Sequence, residues 1–525
     1  MAGYLNIINK MDVTASVDRC RIGGHMSTSI MARYPSFAPL CSLFVFLCYK
    51  RPSQTRGVVW SRLAAADRES AMKWRVMVEL IGSDGIAHAH EVNAGGSNTA
   101  ECSAETVGLT LADGKRTLAG LQDHLVQAQT QEYCRQRRLC SHCGSQRPLK
   151  DVRARRLLSV FGTVEVRAPR FLPCRCAVTR RHTVNPVAEI IPDRCTPEYE
   201  RIIAKMASLL PYARTRSLMA EFLSLGDVPA VETTRRRTMR VGARLEQQAV
   251  ASHPLARAAE AQAIALSIDG GHVRSVRSYQ VRSFEVMLAQ VSNDDGKQRV
   301  FSSMPAEADR QPEQLRGVLR GLGATPATPV TILSDGADGP RSLGEAASVG
   351  PTRHVLDWFH LSMRIQHVAQ AAKGWPDASA EDRKASTRLS ETIERIRWRL
   401  WHGQVRRGLD LIGETMATLE ATAASPATSA ALKVARLLSE LETYVCGQAD
   451  IIIDYATARR REQPISTAVT ESAVQWLLHR RMNAQQQMRW TPRGAHLMLK
   501  VRCVVMNGTL ERDHAVTGLR RSRYA

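Results

Sequence analysis

The stretch "ALSIDGGHV" (residues 265–273) closes an apolar run on one carboxylate, Asp269, followed directly by Gly270 and Gly271. Read alone it is an Asp-Gly turn, the commonest use of that dipeptide. A turn needs only a short polar side chain there, and Asn or Ser would serve. What else converges on the same point decides between a turn and a site. "PVTILSDG" (329–336) repeats the pattern: a buried strand that ends on Asp335-Gly336. "TRHVLDWFH" (352–360) reads as a third buried strand. Between the first two lie "SFEVMLAQVSN" and "RVFSSMP", strands around the turn "NDDGKQ", and then the helix "PEQLRGVLRGLG". "DGPRSLGEAAS" reads as a short helix. The order β-β-β-α-β-α-β-α predicts a mixed sheet with helices on its faces. In an open α/β sheet, sites form at the carboxyl ends of strands, where both Asp-Gly pairs fall.

The rest of the chain supplies context. A formal net charge of +22 over 525 residues disfavours a self-contained protein and favours a polyanionic partner. The excess is uneven: residues 131–260 carry 24 Lys and Arg against 12 Asp and Glu, more than half of it in a quarter of the chain. Nucleic acid is the first candidate partner and an anionic membrane the second. The only apolar run of note, "SFAPLCSLFVFLCY" (36–49), is shorter than the ~20 residues a bilayer span needs. Residues 1–71 lack clear periodicity and read as translated upstream sequence, with "MKWRVMVELIGSDG" from Met72 as a natural start. A cytoplasmic, nucleoid-associated protein is expected.

Residues 72–139 read as a strand region followed by an amphipathic helix over 110–138, with Leu118, Leu121, Leu125 and Val126 at helical spacing. Next come Cys140 and Cys143, then Cys174 and Cys176, on either side of the hairpin candidate "LLSVFGTVEVRAPRF". Two close thiol pairs on turns around a hairpin give a zinc-ribbon-like module over 140–195, since tetrahedral Zn²⁺ takes four soft ligands. His142, His182 and Cys195 stand as alternatives for one ligand, and four free thiols as the reading without metal. Residues 196–252 read as three helices, the last with an arginine-rich start. Helix, short turn, basic helix is helix-turn-helix logic, in which Arg235, Arg236, Arg237, Arg240 and Arg244 face DNA. A plain bundle with a solvated arginine face is the alternative. The α/β segment then covers 262–360. A polar helical insertion follows over 361–462, a second part of the α/β core over 463–510 and a basic tail over 511–525. Glu471 shares a helical face with Val474, Gln475 and Leu478, which aims it at the body it packs on.

Asp269, Asp335 and Glu471 are 66 and 136 residues apart. Carboxylates that meet repel one another unless a cation lies between them, and oxygen ligands in that number suit two Mg²⁺ or Mn²⁺ ions. Such ions activate a water or a 3′-hydroxyl for in-line phosphoryl transfer. Three unrelated acids in turns and a cap are the alternative.

The pieces "MKWRVMVEL", "FGTVEVRAPRF", "SIDGGHVR", "ILSDGADG", "VLDWFHLSMRIQHV" and "TAVTESAVQWLLHRRMNAQQQMRWTPRGAHLML" together resemble DDE transposases of bacterial insertion sequences, most closely the ISKra family. The last two are the specific ones. The resemblance spans roughly Met72 to Gly508 and implies an RNase H-like core split by an all-helical insertion. It implies a catalytic triad of Asp269, Asp335 and Glu471, and strand cleavage and transfer at the element's terminal inverted repeats by a homo-oligomer on double-stranded DNA. Asp357 and His360 resemble the DxxH element of this group, an auxiliary pair that contacts DNA or the metal shell, or anchors the insertion. A DNA-binding regulator without catalysis, and a nuclease that cleaves without joining, remain the rival readings.

Overall fold

The computed structural model describes residues 44–46, 71–82, 85–98, 103–104, 107–176, 183–225, 229–251, 263–304, 310–376, 379–421, 428–467, 472–473, 475–483 and 488–512. It is a mixed α/β fold. At its centre is a five-stranded sheet of β6 (Ile264–Arg274), β7 (Ser283–Asn293), β8 (Gln298–Ser303), β9 (Val330–Ser334) and β10 (Thr352–Leu356), in the spatial order β10-β9-β6-β7-β8. β6 runs antiparallel to β7 and parallel to β9, and β9 parallel to β10. The parallel half reads as short unbroken apolar runs because both faces are covered. On one face Ile264, Leu266, Ile268 and Ile332 pack under α6 (Gln311–Gly321) and α7 (Asp338–Ala347). On the other, Val273, Val286 and Leu288 meet Leu477 and Leu478 of a π-helix, Gln475–Asn483, and Met498 and Leu499 of the helix Pro492–Met506.

Two boundaries differ from the sequence reading. The third strand stops at Leu356 rather than running through His360: Asp357 caps α8 (Trp358–Ala372), its carboxylate accepting from the Phe359 N–H at 2.9 Å. A capping Asp outweighs the β-propensity of "WFH". The Asp-Gly-Gly stretch is no turn either. β6 continues through Gly270 and Gly271 to Arg274, paired with β7 all the way.

The insertion is α8 with α9 (Ala380–Trp401), α10 (Val405–Ala421), α11 (Thr428–Gly447) and α12 (Tyr455–Arg460). Leu389, Ile393, Ile396 and Leu400 make the α9 stripe of its core at helical spacing. It is fastened to the sheet at β10, where the Tyr455 hydroxyl donates to the Leu356 carbonyl at 2.9 Å and the Leu356 N–H to the Ile451 carbonyl at 2.9 Å.

Towards the N-terminus the single strand expected after Met72 is a hairpin, β2 (Ala71–Ile81) with β3 (Ala87–Asn98), and β1 (Phe44–Phe46) pairs along β2. α1 (Leu111–Arg138) begins in a capping box between Thr110 and Asp113. β4 (Leu149–Ser159) and β5 (Gly162–Phe171) form the expected second hairpin, packed on α1 through Leu157, Val164 and Val166. After α2 (Pro186–Ile190), the three expected helices are α3 (Pro197–Leu209), α4 (Tyr212–Phe222) and α5 (Val231–Ala251). The closing helix Pro492–Met506 is α13. Among the described residues no helix is long and apolar enough to cross a membrane.

Candidate functional site

The parallel strands carry a common register. β6 pairs with β9 at a constant offset of 66 residues, up to Ser267 opposite Leu333. β9 pairs with β10 at an offset of 22, up to Ser334 opposite Leu356. Extending both registers past the last pairs puts Asp269, Asp335 and Asp357 in one row across three adjacent strands spaced ~4.8 Å apart: Asp335 and Asp357 just past the ends of β9 and β10, and Asp269 inside β6, which runs on to Arg274 beside β7.

The three acids are held differently. Asp269 and Asp335 are half-buried. Asp269 accepts from the Gly270 N–H at 2.8 Å and Asp335 from the Ala337 N–H at 3.0 Å. Asp357 is fully buried, and both its oxygens are taken up by the chain. Oδ1 accepts from the N–H groups of Phe359 and Thr467; Oδ2 accepts from the Thr467 hydroxyl and lies 2.7 Å from His360 Nδ1. Asp357 is therefore a joint rather than a free ligand: it caps α8, orients His360 and ties the chain at Thr467 to the sheet. Among the described residues no third carboxylate joins Asp269 and Asp335 closely enough to share an ion with them. Glu471 lies outside the described residues, as do Val474 and the side chain of Gln475, so its shared helical face is not described. From Gln475 the helix is a π-helix, in which the 3.6-residue spacing does not hold.

The described residues flanking Glu471 are tightly fixed. Thr467 is bound to Asp357, and Leu478 lies so close to β6 that a Cβ on Gly271 would stand 2.3 Å from its Cδ1. That approach is the structural reason for the second glycine of "DGG". Gly336, in the turn after Asp335, has φ +89, a left-handed conformation that glycine adopts without strain. Tyr444 of α11 and Gln448 just past its end hold this turn: the Tyr444 hydroxyl donates to the Asp335 carbonyl at 2.7 Å and the Gln448 amide to the Gly336 carbonyl at 3.1 Å. The sequence reading missed Tyr444, Gln448 and Thr467. They lie about 110 residues from the atoms they hold, and no local spacing marks them.

His360 points into the same place. The hydrogen bond with Asp357 raises its imidazole pKa against the opposing effect of burial, and the charges of Asp357, Asp269 and Asp335 add to the rise. Burial pushes the Asp357 carboxyl up, but hydrogen bonds from His360 and Thr467 hold it below its usual value. The signs fix a pH dependence. The raised His360 pKa contributes stability that is complete below the ordinary value of 6.5 and lost as pH climbs through the folded value. The lowered Asp357 pKa contributes above 3.8, and that is lost as pH falls through the folded value. The urea midpoint of the metal-free protein is expected to fall as pH climbs above 6.5 through the raised folded value of His360, and His360→Gln to flatten that fall. An equal fall in both proteins would assign the pH dependence elsewhere.

The four cysteines form a second centre. Their Sγ atoms lie within 4.8 Å of one another, the only such group of three or more metal-ligating side chains among the described residues. Cys140 and Cys176 are 3.5 Å apart and Cys143 and Cys174 3.3 Å, close to the ~3.8 Å edge of a tetrahedron built on Zn–S bonds of ~2.3 Å. The backbone N–H groups of Cys143 and His142 lower the Cys140 thiol, and Ser145 brings Cys143 down to about 6, as a thiolate knuckle requires. The neighbouring thiols push Cys176 up to about 12. The donor set fits zinc. Neither described alternative belongs to it. Cys195 is buried, bridged to Leu158, and raised to about 12 by burial and then by Glu200; His142 is outside the cluster. His182 lies outside the described residues.

The arginines of α5 each have a partner within the chain. Arg235 and Arg236 pair with Glu232 at 2.8 and 3.1 Å. Arg240 reaches Glu200 at 3.4 Å, and Arg244 bridges Glu200 and Asp193 at 2.5 and 2.8 Å. Arg237 lies over the Tyr199 ring, 5.5 Å from its centroid. Glu246 of α5 is bound by Arg493 and His496 of α13, so the helix is also bolted to the sheet-bearing body. Comparison with known protein families and with curated proteins finds no match to this chain.

Proposed function

We propose that the chain is a DDE transposase, an RNase H-like polynucleotidyl transferase that cuts and joins DNA at the terminal inverted repeats of its insertion sequence. The observation that carries the proposal is the common register that lines up Asp269 and Asp335 on neighbouring parallel strands. The strand order, with an antiparallel β7-β8 pair beside a parallel β6-β9-β10 set, agrees with that core, and so does the helical insertion between β10 and the π-helix. The ISKra resemblance and the basic charge point to the same substrate.

Asp269, Asp335 and Glu471 would hold two Mg²⁺ or Mn²⁺ ions, whose chemistry is to activate the attacking oxygen and stabilise the leaving oxygen of an in-line displacement. The chain's own part is placement. Tyr444 and Gln448 fix the turn of Asp335, the β6 ladder fixes Asp269, and Asp357 fixes both His360 and the approach to Glu471. A zinc ion on Cys140, Cys143, Cys174 and Cys176 would brace the DNA-binding half of the chain. Two element ends must be held together, so the working form is a homo-oligomer on DNA in the nucleoid.

The test is incubation of the protein with a labelled duplex of the element's end and Mg²⁺ in the presence of a target plasmid. The reading expects nicked ends and joined products. Cleavage with no joined product would favour a nuclease, and binding without cleavage a regulator.

A further inference from the structure

The chain must bring a polyanion to a row of carboxylates, so cations are needed beside that row. The α5 arginines are already paired within the chain. Another arginine is not. Arg364 of α8 is exposed, and among the described residues no carboxylate pairs with it. It lies one turn beyond His360, on the same face of the helix, and His367 continues that stripe as a further exposed position.

Its position is fixed from behind. The guanidinium lies over the Tyr444 ring, 4.0 Å from the centroid, a distance at which the cation–π attraction orients it. Tyr444 is the residue whose hydroxyl donates to the Asp335 carbonyl at 2.7 Å. One aromatic ring thus carries Arg364 on its face and the turn of a site carboxylate on its hydroxyl.

We propose that Arg364, stacked on Tyr444 and following His360 along α8, holds a backbone phosphate of the DNA strand next to the one at the acid row. This rests on the proposed function and makes Arg364 a positioning residue. Arginine suits the task because its planar fork grips a phosphate while its other face stays stacked, which lysine cannot do equally well. Sequence alone gave no reason to prefer Arg364 to the many other arginines; only the insertion folding back over the turn of Asp335 does.

The experiment measures binding of the labelled element-end duplex against KCl concentration, with Ca²⁺ replacing Mg²⁺, for the intact protein, Arg364→Gln and Arg364→Lys. One phosphate contact contributes about 0.9 to the slope of log affinity against log salt. Arg364→Gln is expected to lower the slope by about 1, and Arg364→Lys to keep the intact slope because the charge remains. Both should unfold at the temperature of the intact protein, since the side chain is exposed. An unchanged slope in Arg364→Gln, with the intact protein binding in a salt-dependent way, overturns this inference and leaves the transposase reading standing. An equal loss of slope in Arg364→Lys would also overturn it, because charge would then not be what acts. Failure of the intact protein to bind the duplex would overturn both.

Discussion

Replacing Asp335 by Asn is expected to abolish Mg²⁺-dependent cleavage of the element-end duplex, by about 10³-fold or more, with binding of the same duplex changed by less than about twofold. A loss of that size corresponds to about 4 kcal/mol of transition-state stabilisation. The variant separates charge from shape. In the fold, Asp335 needs one acceptor for the Ala337 N–H, and an Asn oxygen provides it. The Tyr444 bond goes to the backbone carbonyl and survives the change. Only the charge, and with it the hold on a divalent ion, is removed. Asp269→Asn follows the same logic, since Asp269 accepts from the Gly270 N–H. Asp357→Asn should behave differently. Its two oxygens both accept hydrogen bonds and one faces His360, so an amide leaves donor facing donor in a buried site, at a cost of about 3 kcal/mol. Loss of activity there should come with a lowered urea midpoint, whereas Asp335→Asn should lose activity at an unchanged one. Cleavage retained by Asp335→Asn would remove the acid row from the chemistry.

That contrast could not be drawn from the sequence. Asp269 and Asp335 were legible as site candidates because each ends an apolar run before glycine, and the alternation of strand and helix periods placed them at the same sheet edge. Asp357 follows an apolar run too, but Trp358 rather than glycine comes next, and the sequence reads it inside a strand through His360. It differs because it caps α8, and the residue it holds, Thr467, is 110 positions away. Two of the α5 arginines failed to stand out as paired for the same reason: Glu200 lies 40 and 44 residues before Arg240 and Arg244, whereas the Glu232 pairs of Arg235 and Arg236 are at local helical spacing. Basic composition was legible, but its neutralisation was not. The Glu471 face was read with the 3.6-residue period of an α-helix, and Gln475–Asn483 is π-helical. Charge, period and strand ends are local properties. The Tyr444, Gln448 and Thr467 clamps and the Glu200 ion pairs close long loops and are fixed only in the folded chain.

Stripping metal from the cysteine centre is expected to have the other large effect. The hairpin of β4 and β5 has little core of its own: Leu157, Val164, Val166 and Ala168 pack with Val126 and Cys134 of α1 and with Val187 and Ile191. A two-stranded hairpin is marginal in water, and a structural zinc contributes on the order of 10 kcal/mol to folding in small modules. Metal is the right test because the sulfurs are not arranged as disulfides. The close pairs join one knuckle to the other at 3.5 and 3.3 Å, far beyond an S–S bond of ~2.05 Å, and all four atoms stand within 4.8 Å of one another. Protein purified under reducing conditions should carry one zinc per chain, released by a strong chelator or by acid, because thiolates must be deprotonated to bind. Release should expose the segment between Cys140 and Cys176 to protease first. Part of the loss should spread to α3, because Leu158 and Val160 of the hairpin share a cluster with Tyr199 and Ile203. The five-stranded sheet, with separate cores on both faces, should stay resistant. Cys143→Ser should reproduce the pattern without chelator, whereas Cys195→Ser should keep its zinc, since Cys195 stands outside the cluster. A protein that carries no zinc and shows the same protease pattern with and without chelator would return the four cysteines to free thiols.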